Sequence, residues 1–126
     1  MILVDTSVWI DHLHHEELSL THALENDQVV IHPLVIAELA MGSIAGRDEV
    51  LSLLNHLRRS PVLDDDEFHE YVNNARLWGR GLNLVDVHLL GSVNLLPDGQ
   101  LWTRDLRLIA SAREQSITLF PSDAFG

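Results

Sequence analysis

The sequence predicts an α/β fold in which a parallel sheet is covered by helices on both faces. Three observations lead to that reading. Short apolar runs alternate with stretches of helical spacing along the whole chain. Turn-forming and helix-capping residues punctuate the boundaries between them. The chain has 126 residues, 46% of them hydrophobic, which is enough to bury one continuous core, so residues 1–126 are read as a single domain.

Taken in order, Met1 to Val4 reads as a buried strand ending at Asp5, and Thr6 and Ser7 suit the start of a helix of roughly two turns. A second helix follows from Leu18 to Asp27. Val29 to Ile31 is a short strand stopped by His32-Pro33, and proline suits the first turn of a helix over Leu34 to Met41, with Gly42 as its stop. The next helix is expected from Arg47 to Arg59, ended by Ser60-Pro61, and Val62-Leu63 is a candidate strand. The acidic run Asp64 to Glu67 starts a helix that its charge favours as far as about Arg80, where Gly79 and Gly81 break it. Val87 to Leu95 is helical in spacing and Pro97-Asp98-Gly99 is a turn. Leu101 to Thr103 is a strand, Leu106 to Glu114 a helix, and Ile117 to Phe120 the last strand. Sheets of this kind hold ligands beyond the C-terminal ends of their strands, where Asp5 and Asp105 both fall.

Composition removes several chemistries. The chain has no cysteine, which excludes disulfides, thiolate metal sites and a cysteine nucleophile. All eight basic residues are arginine. Without lysine there is no Walker-type phosphate loop, no Schiff base and no receiver domain of the chemotaxis type. A net charge of −11 argues against tight non-specific binding to nucleic acid, which depends on many cation-to-phosphate contacts, so any RNA must be drawn in locally. Such acidity favours a basic protein partner, although a self-repelling soluble surface is the simpler reading of composition alone. The apolar opening MILVDTSVWI carries an aspartate and no basic start, and it is too short to span a bilayer. It reads neither as a signal peptide nor as an anchor, so the cytoplasm is the expected compartment and no membrane association is expected.

Among 19 acids, the informative ones stand on apolar stripes, because an ionised carboxylate is expensive to bury unless paired, hydrogen-bonded or bound to metal. Glu38 lies over Leu34, Val35 and Met41 at helical offsets; Asp86 precedes Leu89 and Leu90; Asp105 precedes Leu108 and Ile109; and Asp5 ends Ile2-Leu3-Val4. All four are expected to look inward. Glu25, Glu70, Asp11, Asp48, Glu49, Glu114 and Asp123 read as ordinary surface charge. Asp5, Asp86 and Asp105 also stand at plausible helix starts, so capping is the alternative for each taken singly. Four carboxylates gathered by a fold with few cations to neutralise them would repel one another. A hard divalent cation such as Mg²⁺ or Mn²⁺ resolves that conflict.

The segments Val4-Asp5-Thr6-Ser7-Val8-Trp9-Ile10-Asp11, His32-Pro33-Leu34-Val35-Ile36-Ala37-Glu38-Leu39-Ala40-Met41-Gly42, Leu84-Val85-Asp86-Val87-His88-Leu89-Leu90 and Leu101-Trp102-Thr103-Arg104-Asp105-Leu106-Arg107-Leu108 occur in a familiar order. Together they resemble the PIN-domain family, and within it the VapC group of toxin ribonucleases. The resemblance implies a PIN-like three-layer α/β/α sandwich with a central parallel sheet. It implies that Asp5, Glu38, Asp86 and Asp105 are the catalytic, metal-holding acids, with one or two Mg²⁺ or Mn²⁺ ions as cofactor and water as nucleophile. Thr103 matches the family's hydroxyl residue before the last acid, and Thr6 and Ser7 are candidates to support the first, with cap hydrogen bonding the alternative role. A homodimer, a cognate VapB-like antitoxin and structured transfer or ribosomal RNA as substrate are implied in the same way. Ala37 departs from the glycine common in similar toxins.

Arg104 and Arg107, beside the last acid, and the helical pair Arg76 and Arg80 are candidates for RNA-phosphate contacts, against the more usual role of surface ion pairs. His12, His14 and His15 lack the spacing of a shared metal site and read as a solvated helix end. Trp9 and Trp102 lie in apolar runs and are assigned to core or dimer contact. The competing functions are a catalytically silent interaction module and a small-molecule phosphoesterase. The haloacid-dehalogenase type of phosphoesterase needs a second acid where Ser7 stands, and a dinucleotide-binding domain needs a glycine fingerprint that the first strand lacks.

Overall fold

The computed structural model describes residues 1–121, so Asp123 lies outside the described residues. The order of elements follows the alternation read from the sequence: β1 (Ile2–Val4), α1 (Thr6–His14), α2 (Leu18–Glu25), β2 (Val29–Ile31), α3 (Pro33–Met41), α4 (Arg47–Asn55), β3 (Arg58–Arg59), α5 (Asp65–Ala75), α6 (Leu84–Asn94), β4 (Gln100–Trp102), α7 (Leu106–Glu114) and β5 (Thr118–Leu119). The five strands pair in parallel in the order β3-β2-β1-β4-β5, with Leu3 opposite Val30 on one side and Leu101 on the other. Chain order reverses at β1, which makes the ends of β1 and β4 the switch point where such sheets open a crevice. Helices flank the sheet to give the expected α/β/α sandwich.

The strands are short, but β1 and β2 are buried at every residue, and Leu3, Val4, Ile31, Leu101, Leu39, Leu89, Leu90 and Leu108 form a core with essentially no exposure. Helix α6 runs through this core with seven buried residues, among them Gly91 and Ser92. Gly91 is where Leu63 and Tyr71 press closest: a Cβ there would stand 3.1 Å from Leu63 Cγ and 3.3 Å from a Tyr71 ring carbon. Gly91→Ala is therefore expected to destabilise the protein by about 1–3 kcal/mol through overpacking. Urea denaturation measures this, and an unchanged midpoint would contradict the close approach.

Several boundaries differ from expectation: α2 ends at Glu25 instead of Asp27, and α6 begins at Leu84 instead of Val87. Helix α4 stops at Asn55 instead of reaching Arg59, and Arg58-Arg59 forms β3 by pairing with Val30 and Ile31. Both arginines are exposed on the sheet edge, so this strand carries no apolar signal, and its charge discourages further edge pairing. Val62-Leu63 is not a strand; Leu63 is instead a buried loop residue packed on α6. Helix α5 ends at Ala75 instead of about Arg80, because Arg76 turns into the left-handed region at φ 54°, ψ 52°.

Candidate active site

The backbone joins the two central strand ends directly: Asp5 N–H donates to the Trp102 carbonyl at 2.8 Å. Asp5 thus sits where β1 ends and α1 begins, buried at 6% exposure, and its side chain caps α1. Oδ1 accepts from Thr6 N–H at 2.8 Å, while Oδ2 accepts from the hydroxyls of Ser7 at 2.8 Å and Thr103 at 2.7 Å. Each hydroxyl in turn accepts a backbone N–H from the loop after β4, Ser7 from Arg104 at 3.2 Å and Thr103 from Asp105 at 3.1 Å. Both hydroxyl protons are therefore committed to Asp5. Ser7 and Thr103 tie the start of α1 to the loop that carries Asp105.

Thr6 makes a second link. Its hydroxyl donates to Glu38 Oε1 at 2.6 Å, connecting α1 to the half-buried acid in the middle of α3. Asp86 is the third residue of α6 and forms a reciprocal capping box with Asn83: Asn83 N–H donates to Asp86 Oδ2 at 3.0 Å, and Asp86 N–H to Asn83 Oδ1 at 2.8 Å. Asp105 caps α7, its Oδ1 accepting from Arg107 N–H at 2.9 Å and Leu108 N–H at 3.3 Å. Asp5, Asp86 and Asp105 thus each take the capping role with a local donor.

The four acids meet electrostatically at Asp86. Burial raises the Asp86 carboxyl above its ordinary range, hydrogen bonding from Asn83 opposes this, and the charges of Asp105, Asp5 and Glu38 raise it further. Asp5 and Asp86 are buried as expected. Glu38 is only half-buried and Asp105 is exposed, because its position at the tip of a strand-to-helix turn opens to solvent. Among the described residues no arginine forms an ion pair with any of the four. Glu38 Oε2, Asp86 Oδ1 and Asp105 Oδ2 accept no hydrogen bond from those residues. The donor set is all carboxylate oxygen, which fits a hard divalent ion. Among the described residues no three His, Asp or Glu side chains are gathered closely enough to enclose an ion.

The arginines divide. Arg104 turns away from the acids, pairing with Asp11 at 3.0 Å and Glu17 at 2.7 Å. Arg80 pairs with Glu114 and donates to the Arg76 carbonyl at 2.8 Å, and Arg107 reaches the Gly81 carbonyl at 3.4 Å. His12 accepts from Glu17 N–H at 3.0 Å and shares no metal cluster with His14 or His15. Trp9 and Trp102 are buried at 4% exposure.

Two residues that sequence reasoning passed over shape the site. Asn83 holds Asp86, and the spacing Asn83-x-x-Asp86 was its signal. His32 is wholly buried and caps α3 through Nδ1, which accepts Leu34 N–H at 3.0 Å. Burial, then the charges of His88 and Arg59, lower its pKa to about 4. An unfolded histidine titrates near 6.5, so this contribution is complete above pH 6.5 and is lost as pH falls toward 4. The loss is about 3 kcal/mol. Chemical denaturation at stepped pH tests this, with His32→Asn, which keeps a cap acceptor, expected to flatten the acid limb relative to the parent. Equal slopes would exclude His32 as the cause.

A parallel sheet ordered 3-2-1-4-5 with acids at its switch point defines a class, and the PIN domain family matches residues 2–124. The chain belongs to the PIN-domain family. It is 53% identical over 119 residues to Ribonuclease VapC32 of Mycobacterium tuberculosis, in both strain CDC 1551 / Oshkosh and strain ATCC 25618 / H37Rv, covering 94% of this chain and 96% of that protein. Its fold is also that of a chain in the 2.2 Å structure of VapBC-1 from nontypeable Haemophilus influenzae, at a TM-score of 0.68 and 16% identity over 94% of this chain and 96% of that one.

Proposed function

We propose that this protein is a divalent-metal-dependent endoribonuclease, the toxin of a toxin–antitoxin pair, and that Asp5, Glu38, Asp86 and Asp105 hold Mg²⁺ or Mn²⁺. One observation carries the reading: among the described residues, Glu38, Asp86 and Asp105 each keep a carboxylate oxygen that accepts no hydrogen bond, and no arginine is ion-paired with them or with Asp5. The likeness to a ribonuclease over nearly the whole chain supports the substrate class. When one or two ions are bound, the chemistry supplied at the site is activation of water and neutralisation of charge on the scissile phosphate.

The chain's own residues prepare that site. Thr103 and Ser7 fix the Asp5 carboxylate in one orientation, Thr6 spaces Glu38 from it, and Asn83 holds Asp86 at the start of its helix. Each acid is thereby positioned by a hydrogen bond that need not break on ligand binding. A VapB-like antitoxin is the proposed partner. An apolar depression between α1, α2 and α4, lined by Trp9, Leu13, Leu24, Leu53, Leu54 and Leu57, supports a protein ligand of that kind. Leu53 is 64% exposed. A homodimer and a cytoplasmic setting belong to the same proposal, and no helix among the described residues is long and apolar enough to cross a membrane.

The test is cleavage of transfer or ribosomal RNA by purified protein with Mn²⁺, with Mg²⁺ and with chelator, beside a small phosphomonoester. Metal-dependent RNA cleavage with no action on the monoester is expected. Monoester hydrolysis alone would favour a phosphoesterase, and partner binding without any hydrolysis would favour a silent module.

A further inference from the structure

We propose that the loop between α5 and α6, residues 76–83, is a second RNA-contacting element in which Trp78 stacks on an unpaired base and Arg76, Arg80 and Arg107 hold neighbouring phosphates. The inference rests on the ribonuclease reading and adds a specificity-determining subsite to it. Trp78 is 62% exposed, whereas the other two tryptophans are 4% exposed. An exposed tryptophan offers a flat apolar face on which a planar ligand can stack.

The loop is held rather than loose. Leu77 is buried beside Trp78 and anchors it to the core. Arg76, Gly79 and Gly81 take left-handed backbone conformations at φ 54°, 69° and 75°. Arg80 binds the Arg76 carbonyl and pairs with Glu114 at the end of α7, and Arg107, in the first turn of α7, lies over Gly81. A Cβ at Gly81 would stand 3.1 Å from the Arg107 guanidinium. A pre-shaped platform loses little freedom when a base settles on it.

Its attachments are the site's own. The loop runs directly into Asn83 and Asp86, and the backbone N–H of Arg107 binds Asp105. On this proposal, a strand of RNA leaving the acids passes Arg107 and then the loop that carries Trp78. In a chain of net charge −11, three of the eight arginines are placed around this single loop. Glu114 offsets Arg80 in part, and phosphate is a stronger acceptor set that can compete for a half-exposed guanidinium. An aromatic face flanked by arginines suits single-stranded nucleic acid, since every base has a π-face to offer. Exposed apolar side chains stand on α1, α3 and α4, at Ile10, Leu13, Met41 and Leu53, and also beside the loop, at Leu84 and Leu106, where they add apolar surface to that of Trp78.

The experiment uses the full chain with Asp5→Asn, in chelator, so that binding is read without metal or turnover. A fluorescently labelled short single-stranded oligoribonucleotide is titrated with this protein and with versions also carrying Trp78→Ala or Trp78→Phe. Trp78→Ala is expected to weaken binding about tenfold, Trp78→Phe to restore most of it, and an abasic strand to lose the difference. Equal affinity of Trp78→Ala and its parent, or no binding by the parent, overturns the proposal. So does a Trp78→Ala effect confined to self-association in sedimentation, which would make Trp78 a contact between protein chains. Because no cleavage is measured, Trp78-dependent binding stands even if the metal reading fails, and binding indifferent to Trp78 removes only this subsite.

Discussion

Asp5→Asn is expected to lower metal-dependent RNA cleavage by on the order of 100- to 1000-fold or more while leaving the protein folded. The substitution keeps an oxygen to cap α1 at Thr6 N–H but removes the charge. It also places an amide nitrogen or a second geometry where the hydroxyls of Ser7 and Thr103 both donate. Those hydroxyls already accept N–H groups from Arg104 and Asp105, so a donor arriving between them lacks a ready acceptor. A local loss of about 1 kcal/mol follows, too small to unfold a domain of this size. Circular dichroism and a thermal midpoint establish the fold, and initial rates at saturating Mn²⁺ give the activity. Retention of activity within a few-fold of the parent would remove Asp5 from the catalytic set and with it the metal proposal.

Asp86→Asn separates function from stability. Burial and three neighbouring carboxylates raise the folded pKa of Asp86 above its unfolded value near 3.8. The folded state therefore binds more protons than the unfolded state as pH passes through that window, and stability falls as pH rises through it. At neutral pH the ionised group is a standing cost in the absence of a cation. Asparagine is neutral at every pH and keeps an oxygen for the Asn83 N–H. The metal-free variant should thus melt above the metal-free parent at pH 7, with the gap closing in acid. Addition of Mg²⁺ or Mn²⁺ should stabilise the parent, by about 2.7 kcal/mol at a hundredfold excess over Kd, and the variant far less. Its activity should fall by on the order of 100-fold or more. A variant less stable than the parent without metal would show that the capping box, not the charge cluster, dominates at Asp86.

Much of the fold was legible because its signals are local. The run Ile2-Leu3-Val4, the Pro33 helix start and the Asp64 capping box each specify their element from neighbouring residues, and the structure places those elements where the pattern put them. The misplaced boundaries share a cause. Arg58-Arg59 is a strand only because Val30 and Ile31 offer it partners, and α5 ends at Ala75 because Arg76 takes a left-handed conformation that helical spacing does not announce. Leu63 was read as strand for its apolarity, yet its burial comes from a glycine on α6.

At the site, apolar neighbours three or four positions away, visible without coordinates, picked out Asp86, and the end of an apolar run picked out Asp5, both of which are buried, while the resemblance marked Thr6, Ser7 and Thr103 beside them. Only the tertiary structure decided that Asp86 feels the other three acids, that Arg104 is taken by Asp11 and Glu17, that Asp105 stands in solvent, and that His32 is sealed inside. Covalent neighbours define caps and stripes, whereas charge coupling, ion pairing and burial depend on distances between residues far apart in the chain. Those distances exist only once the sheet has been assembled.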